Sequence, residues 1–446
     1  MADSEKTSSL VDDLHRARMM DVMPRVRLTL APPVSPLRTL SLSTLAGNAY
    51  GVAGDLAREH FLLDIRAGAT PHGKTRLPLN LSLVLDCSKA MEGEPLDYAR
   101  RACAYVVDLL EPDDILSVIA SGGGAEIVVP ARRLINKGLL KESINQITAG
   151  GGEPALLEGL LTACQQIASV KTAQTLNRVL LLTGGEPTAG ERDTASILGQ
   201  VAEQKGRGIT VTTLGFGPSY NEELLTGIAR RAGGNYYYLA RPELIPEVFR
   251  RELDTLMRIT ARNLTLRLAL ARGVTVRQVP GQQPVFGQRS AEVTLIDVEQ
   301  GTGLSSLWEL EMTPRPAGTY RLAIAELLYD DALTGKQEKV TADIVWEFTA
   351  DRRRIGTGMD PRVQSEIEVA RAARALDKTI VGLKTQQTDR AQVMQDLNRT
   401  KTLMLDQGKL AQAQQITQAM QNIQGGGSVE KTLAGTIYTL DQGKMR

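Results

Sequence analysis

Apolar and polar positions alternate with period two over Arg25–Leu30, Leu37–Leu45 and Phe61–Arg66, the spacing of strands with one buried face. Pro32, Pro33 and Pro36 separate the first two, and the polar residues 1–23 ahead of them read as a flexible arm. At about residue 77 the pattern changes. Short apolar runs at Leu79–Asp86, Asp114–Ala120, Glu126–Val129, Val179–Thr183, Thr210–Phe216 and Tyr236–Leu239 read as strands. Between most of them apolar residues recur at helical spacing. Pro95–Leu110 has proline in its first turn and Leu96, Ala99, Cys103, Val106 and Leu110 on one face. Leu156–Val170, Thr194–Gly206, Glu222–Ala232 and Glu243–Met257 read as four further helices. This alternation predicts an α/β unit over 77–257: a doubly wound, mostly parallel sheet covered on both faces. Such sheets hold ligands beyond the C-terminal ends of their strands.

From residue 258 to 350 strands return without helices: Leu264–Ala271, Val274–Val279, Ala291–Val298, Leu304–Met312, Tyr320–Leu328 and Val340–Phe348. With the early strands of 24–76 they predict one all-β sandwich into which the α/β unit is inserted, with Trp308 and Trp346 as core aromatics. Residues 351–446 form a Gln-rich helical tail that begins at a solvated basic linker, Arg352–Arg354. Val363, Ile367, Ala370, Ile380 and Leu383 make one apolar stripe, and Leu410, Ala413, Ile416, Met420 and Ile423 another. Each stripe needs a partner surface. The pentapeptide LDQGK occurs at Leu405–Lys409 and Leu440–Lys444. That spacing is close to the ~34-residue tetratricopeptide period, and each Gly falls where a helix C-cap belongs; the tetratricopeptide aromatic signature is absent.

Composition narrows the function. Fifty-two basic residues balance 51 acidic ones, so no basic surface for nucleic acid is expected. Neither a signal-peptide core nor a membrane-length apolar run is present, and we expect a cytoplasmic protein. Cys87, Cys103 and Cys164 lack CxxC spacing and read as buried thiols. His15, His60 and His72 precede the α/β unit without ligand-like spacing. The glycine clusters at 122–124, 150–152, 184–185 and 425–427 match no phosphate-loop pattern and read as tight turns. A GxSxG elbow is missing as well, so no catalytic residues and no cofactor are expected.

Three motifs at the strand ends carry a family resemblance. Asp86-Cys87-Ser88-Lys89-Ala90 follows an apolar strand as Asp-x-Ser-x-Ser does in the von Willebrand factor A (vWA) family. Gly151-Gly152-Glu153-Pro154-Ala155-Leu156, continuing through Gly159-Leu160, is similar to its Gly-Gly-x-Thr-x-Leu. Leu182-Thr183-Gly184-Gly185-Glu186-Pro187 resembles its Leu-Thr-Asp-Gly-Glu-Pro. The layout of the whole chain further resembles a group of bacterial vWA proteins common in cyanobacteria. The resemblance implies a metal-ion-dependent adhesion site, in which two Asp, two Ser and a Thr hold a divalent cation that a partner's carboxylate completes. Hard oxygen donors of that kind suit Mg²⁺. Asp86 and Ser88 match that set, whereas Ala90, Pro154 and Gly184 stand where the second Ser, the Thr and the second Asp belong.

These replacements remove two hydroxyls and a carboxylate, and predict a site without metal. Asp86 is then expected to turn to backbone N–H groups at the start of the Pro95 helix, to the Ser88 hydroxyl or to Lys89. The functional expectation is a non-enzymatic protein-interaction scaffold. Lys89, Glu92, Glu153 and Glu186 are its candidate partner-binding residues, and its partners are proteins, self-association included. Alternatives are a regulatory or substrate-recruiting partner of a AAA+ ATPase of the chelatase or MoxR type, and a metal-dependent adhesin.

Overall fold

The protein's structure is a computed structural model that describes residues 39–68, 76–150, 152–172 and 174–445. The expected arm at 1–23 and the strand at Arg25–Leu30 lie outside the described residues. Three strands come first, β1 (Leu40–Ala46), β2 (Tyr50–Val52) and β3 (Ala57–Ala67). β1 pairs antiparallel with β3.

The α/β unit follows as β4 (Leu79–Asp86), α1 (Glu94–Leu109), β5 (Ile115–Ser121), β6 (Ala125–Arg133), α2 (Lys137–Asn145), α3 (Leu156–Val170), β7 (Leu176–Gly185), α4 (Thr194–Gly206), β8 (Thr210–Ser219), α5 (Glu222–Ala232), β9 (Tyr236–Leu239) and α6 (Leu244–Leu256). The sheet runs β6-β5-β4-β7-β8-β9, parallel except at β6. All of β4 is buried, as a strand covered on both faces must be. Its neighbours supply partners to its polar side chains: Asn80 Nδ2 donates to Asn177 Oδ1 at 3.0 Å, and Ser117 donates to Ser82 at 2.8 Å, while Asn80 Oδ1 is left without one. The chain leaves β4 toward β5, while β7 lies on the other side, so the topological switch falls between β4 and β7. Those two strands end at Asp86 and at Gly184-Gly185. Helix α2 was not anticipated. It buries only Leu140 and Ile144, too short a stripe to stand out as periodicity.

The later strands are β10 (Ile259–Leu270), β11 (Val274–Gln278), β12 (Val285–Gly287), β13 (Ser290–Thr294), β14 (Val298–Glu299), β15 (Gly303–Met312), β16 (Gly318–Asp331) and β17 (Gln337–Thr349). The run expected over Ala291–Val298 is thus split between β13 and β14. One sheet runs β1-β3-β15-β11 and the other β12-β13-β10-β16-β17-β2, so each combines strands from before and after the α/β unit. They share a core that holds Trp308 and Trp346. Trp346 meets Phe61 edge-on at 6.0 Å, joining a late strand to an early one. A buried ion pair, Arg178 to Asp297 at 2.6 Å, links β7 to the sandwich.

The tail comprises α7 (Arg352–Thr357), α8 (Pro361–Lys384), α9 (Arg390–Asp406), α10 (Leu410–Gln424), α11 (Val429–Asp441) and a terminal strand β18 (Lys444–Met445) that pairs with β15. The basic triplet opens α7 rather than forming a linker, and Arg354 bonds Glu347 at 2.6 Å. Both apolar stripes find partners within the chain. Val363 and Ile367 of α8 lie on Leu62 of β3 and Leu307 of β15, and Ala413, Ile416 and Ile423 of α10 pack with the other tail helices. In both LDQGK copies the Gly follows a helix end with left-handed φ, +70° at Gly408 and +62° at Gly443. Both lysines then reach a glutamate, Lys409 to Glu366 at 2.7 Å and Lys444 to Glu299 at 3.7 Å. Among the described residues no helix is long and apolar enough to cross a membrane.

Candidate functional site

The rim at the C-terminal end of the parallel sheet is made by four interlocked loops. Cys87 N–H donates to the Ser121 carbonyl at 2.7 Å, Gly150 N–H to Cys87 at 3.0 Å, Ala155 N–H to Gly122 at 3.1 Å and Ala189 N–H to Pro154 at 3.3 Å. Asp86 lies at the floor, 3% exposed. Its Oδ1 accepts the Ser88 N–H at 2.8 Å, and its Oδ2 accepts the Thr183 hydroxyl at 2.8 Å and the Gly184 N–H at 3.0 Å. These are not the partners the sequence suggested. The first turn of α1 and the Ser88 hydroxyl do not serve Asp86, because the chain turns back at once and brings the Ser88 amide, with the end of β7, onto the carboxylate. Lys89 is exposed and forms no ion pair with it.

Apolar atoms fill the space above this carboxylate. A Cβ at Gly184 would lie 2.9 Å from Met91 Sδ, and one at Gly185 would lie 3.0 Å from Pro154 Cγ and 3.7 Å from Ala90 Cβ. Met91 itself is fully buried. The thioether therefore takes the volume into which a side chain at position 184 would project. Ser88 is 2% exposed, and its Oγ has no hydrogen-bond partner. Burial and the neighbouring Asp86 push the Cys87 thiol up to about 12, so it supplies no thiolate at neutral pH. Glu92, Glu153 and Glu186 are exposed around this floor, together with Lys89.

Residues 80–251 match the family model described as von Willebrand factor type A domain. The chain carries a vWA domain. A protein of Synechocystis sp. is 37% identical over 207 residues, which cover 46% of this chain and 48% of that protein. YfbK of Escherichia coli is 26% identical over 274 residues, covering 60% and 47%. This chain therefore spans about half the length of these relatives. Inter-alpha-trypsin inhibitor heavy chain H4 of Homo sapiens is 29% identical over 174 residues, 37% of this chain and 18% of its own. Among solved structures, a von Willebrand factor type A protein from Catenulispora acidiphila aligns with 92% of this chain and 98% of its own, at a TM-score of 0.71 and 18% identity. The ArnB paralog VWA2 from Sulfolobus acidocaldarius aligns with 91% and 99%, at 0.62 and 15%. The likeness of fold therefore extends past the vWA domain into the flanking strands and the tail.

The vWA family implies a divalent cation between the ends of β4 and β7, and the residues present do not fit one. A small hard dication needs about six oxygen donors. Here the motif offers one carboxylate, with both oxygens already holding donors, and one hydroxyl. Among the described residues no group of three or more His, Cys, Asp and Glu side chains could hold a metal ion. The sequence motifs named Asp86, Ser88, Ala90, Pro154 and Gly184; the structure adds Met91 and Thr183 beside them. For Met91 the available signal was a large apolar residue inside an otherwise polar loop. Larger cavities lie away from the rim: one of about 1030 Å³ beside Arg362 and Lys409, another of about 560 Å³ beside Lys205.

Proposed function

We propose that the chain is a non-enzymatic scaffold whose vWA rim binds a protein partner without a metal ion, and whose tail helps to join the subunits of an assembly. The observation that carries this reading is the floor of the rim, where Asp86 is occupied by three donors and Met91 fills the place of the second acidic ligand. The surface left to a partner consists of Lys89, Ala90, Glu92, Glu153 and Glu186, recognised by shape and charge. The absence of chemistry in the reading is supported by the thiols, since burial also raises Cys164 to about 12, and by His60, the one described histidine, which lies in the sandwich on β3. The three buried, unpaired cysteines accord with a cytoplasmic setting.

The exposed side of the tail supports its part in the reading. Val381, Leu405 and Leu410, the first residue of the second stripe, remain 58%, 48% and 63% exposed, whereas Ala413, Ile416 and Ile423 of that stripe are buried. Calorimetric titration of the full chain with Mg²⁺ and with Mn²⁺ tests the metal-free claim. No saturable heat is expected. A saturable micromolar site that is lost in Asp86→Asn would overturn it.

A further inference from the structure

The loops of the rim are rich in exposed carboxylates. Glu92, Glu94, Glu126, Glu153, Glu158 and Glu186 are all exposed on or beside its loops, and none is paired with a cation among the described residues. The nearby Arg100 is turned away, bonded to Asp97 and to the Ile147 carbonyl, which leaves Lys89 as the balancing charge on the β4 loop. Away from the rim some carboxylates are paired, Glu311 with Arg58 at 2.7 Å, Glu326 with Lys339 at 2.6 Å and Glu223 with Lys384 at 2.6 Å, while others, Glu203 and Glu247 among them, are exposed without an ion pair among the described residues. Helix capping accounts for part of the excess, because Glu94 and Glu158 lie in the first turns of α1 and α3, where a carboxylate opposes the helix dipole. Glu92, Glu126, Glu153 and Glu186 lie in no first turn.

A second observation is independent of these charges. Ser88 Oγ is buried without a partner and lies 3.9 Å from the Cβ position of Gly185, beside Pro154 and Ala90. A buried hydroxyl left unbonded is costly. An N–H group arriving from outside satisfies it, and the methyl of Ala90 and the ring of Pro154 suit the aliphatic stem that carries such a group. An incoming carboxylate would instead meet several like charges within about one Debye length.

Resting on the rim reading above, we infer that the partner presents a lysine or arginine side chain to the rim, set between Ala90 and Pro154 with its charge among Glu92, Glu153 and Glu186. The polarity of recognition is thereby the reverse of that at a metal-bearing rim, where the partner supplies the negative charge.

Fluorescence anisotropy on the full chain tests this with labelled oligoarginine, oligoglutamate and glycine-serine peptides of equal length. The arginine peptide is expected to bind, and to bind more weakly as salt rises. The combined variant Glu92→Lys, Glu153→Lys, Glu186→Lys should weaken it by about tenfold or more, whereas Glu203→Lys with Glu247→Lys, exposed carboxylates away from the rim, should change it less than about twofold. Ser88→Ala should weaken binding about threefold while leaving thermal stability unchanged or higher, since it removes an unbonded group. Equal binding of the arginine peptide to the rim variant and to the parent overturns the inference, as does preference for oligoglutamate. A photo-cross-linking residue at position 90 separates the two readings in cells. A partner cross-link that survives the triple charge reversal overturns the charge inference and keeps the rim; absence of any cross-link to the parent chain removes both.

Discussion

Along its β9 edge the vWA domain meets the tail of its own chain, and at its rim no other described element covers it. On the β9 side Tyr238 accepts the Ser428 N–H at 2.9 Å, Tyr438 donates to the Gly234 carbonyl at 2.6 Å, and Arg230 holds Asp441 at 2.7 Å. Lys431 of α11 is 5% exposed, lies 3.8 Å from the centre of the Tyr220 ring and bonds Glu222 at 3.0 Å. At the rim, the glutamates lack cations among the described residues, and the buried Ser88 hydroxyl lacks a partner there. The difference teaches where the molecule is finished. Along the β9 edge folding brings these groups their partners from within the chain, because an unpaired buried group destabilises the fold. A surface that folding leaves open keeps charges whose partners must come from another molecule.

The largest effect is expected where α8 sits on β3. Ile367→Asp places a charge between α8 and β3, where Ile367 is 7% exposed, and should destabilise the protein by about 4 kcal/mol in urea denaturation. An unchanged midpoint would show that the tail is not seated there. Asp86→Ala leaves the Ser88 and Gly184 amides and the Thr183 hydroxyl without their acceptor and should cost about 3 kcal/mol. A near-neutral result would mean that Asp86 is not structural.

A pH profile sharpens the comparison at the tail seat. Glu59 lies beside Gly47 and Val363, and burial raises its carboxyl from 4.5 to about 7. The folded state therefore holds this proton more tightly than the unfolded chain does. The contribution is fully present below pH 4.5 and is lost as pH rises through 7. Glu59→Gln, which cannot ionise, should gain on the parent by roughly 1–2 kcal/mol between pH 5 and pH 8, partial solvent access lowering the full linkage value. A pH-independent difference would contradict the burial of this carboxyl. The smallest effect belongs to the rim: Glu153→Lys should shift stability by no more than about 0.5 kcal/mol, and a larger loss would assign that residue to the fold rather than to recognition.

The α/β unit was legible almost residue by residue. Leu79–Asp86 and Tyr236–Leu239 are strands over the limits read from the pattern, and Leu156–Val170, Thr194–Gly206 and Glu222–Ala232 are helices likewise, because a two-faced buried strand and an amphipathic helix each write their period into apolar positions. The motif loops were legible for a related reason, since each follows directly on a strand read from the pattern, and the structure brings them to one rim. Short elements escaped: β2, β12 and α2 bury too few side chains to leave a period, and β18 exists only because β15 offers it an edge.

What the sequence determined by itself is local: strand and helix identity, the residue types Ala90, Pro154 and Gly184 in the motif loops, and the two LDQGK helix ends. Only folding decided that the tail stripes pack on Leu62, Leu307 and the neighbouring helices, that Met91 fills the space beside Gly184, and that carboxylates of separate loops share one rim. Periodicity records which face of an element is apolar, but the partner of that face, and the company a charge keeps, depend on residues distant in the chain that only folding brings together.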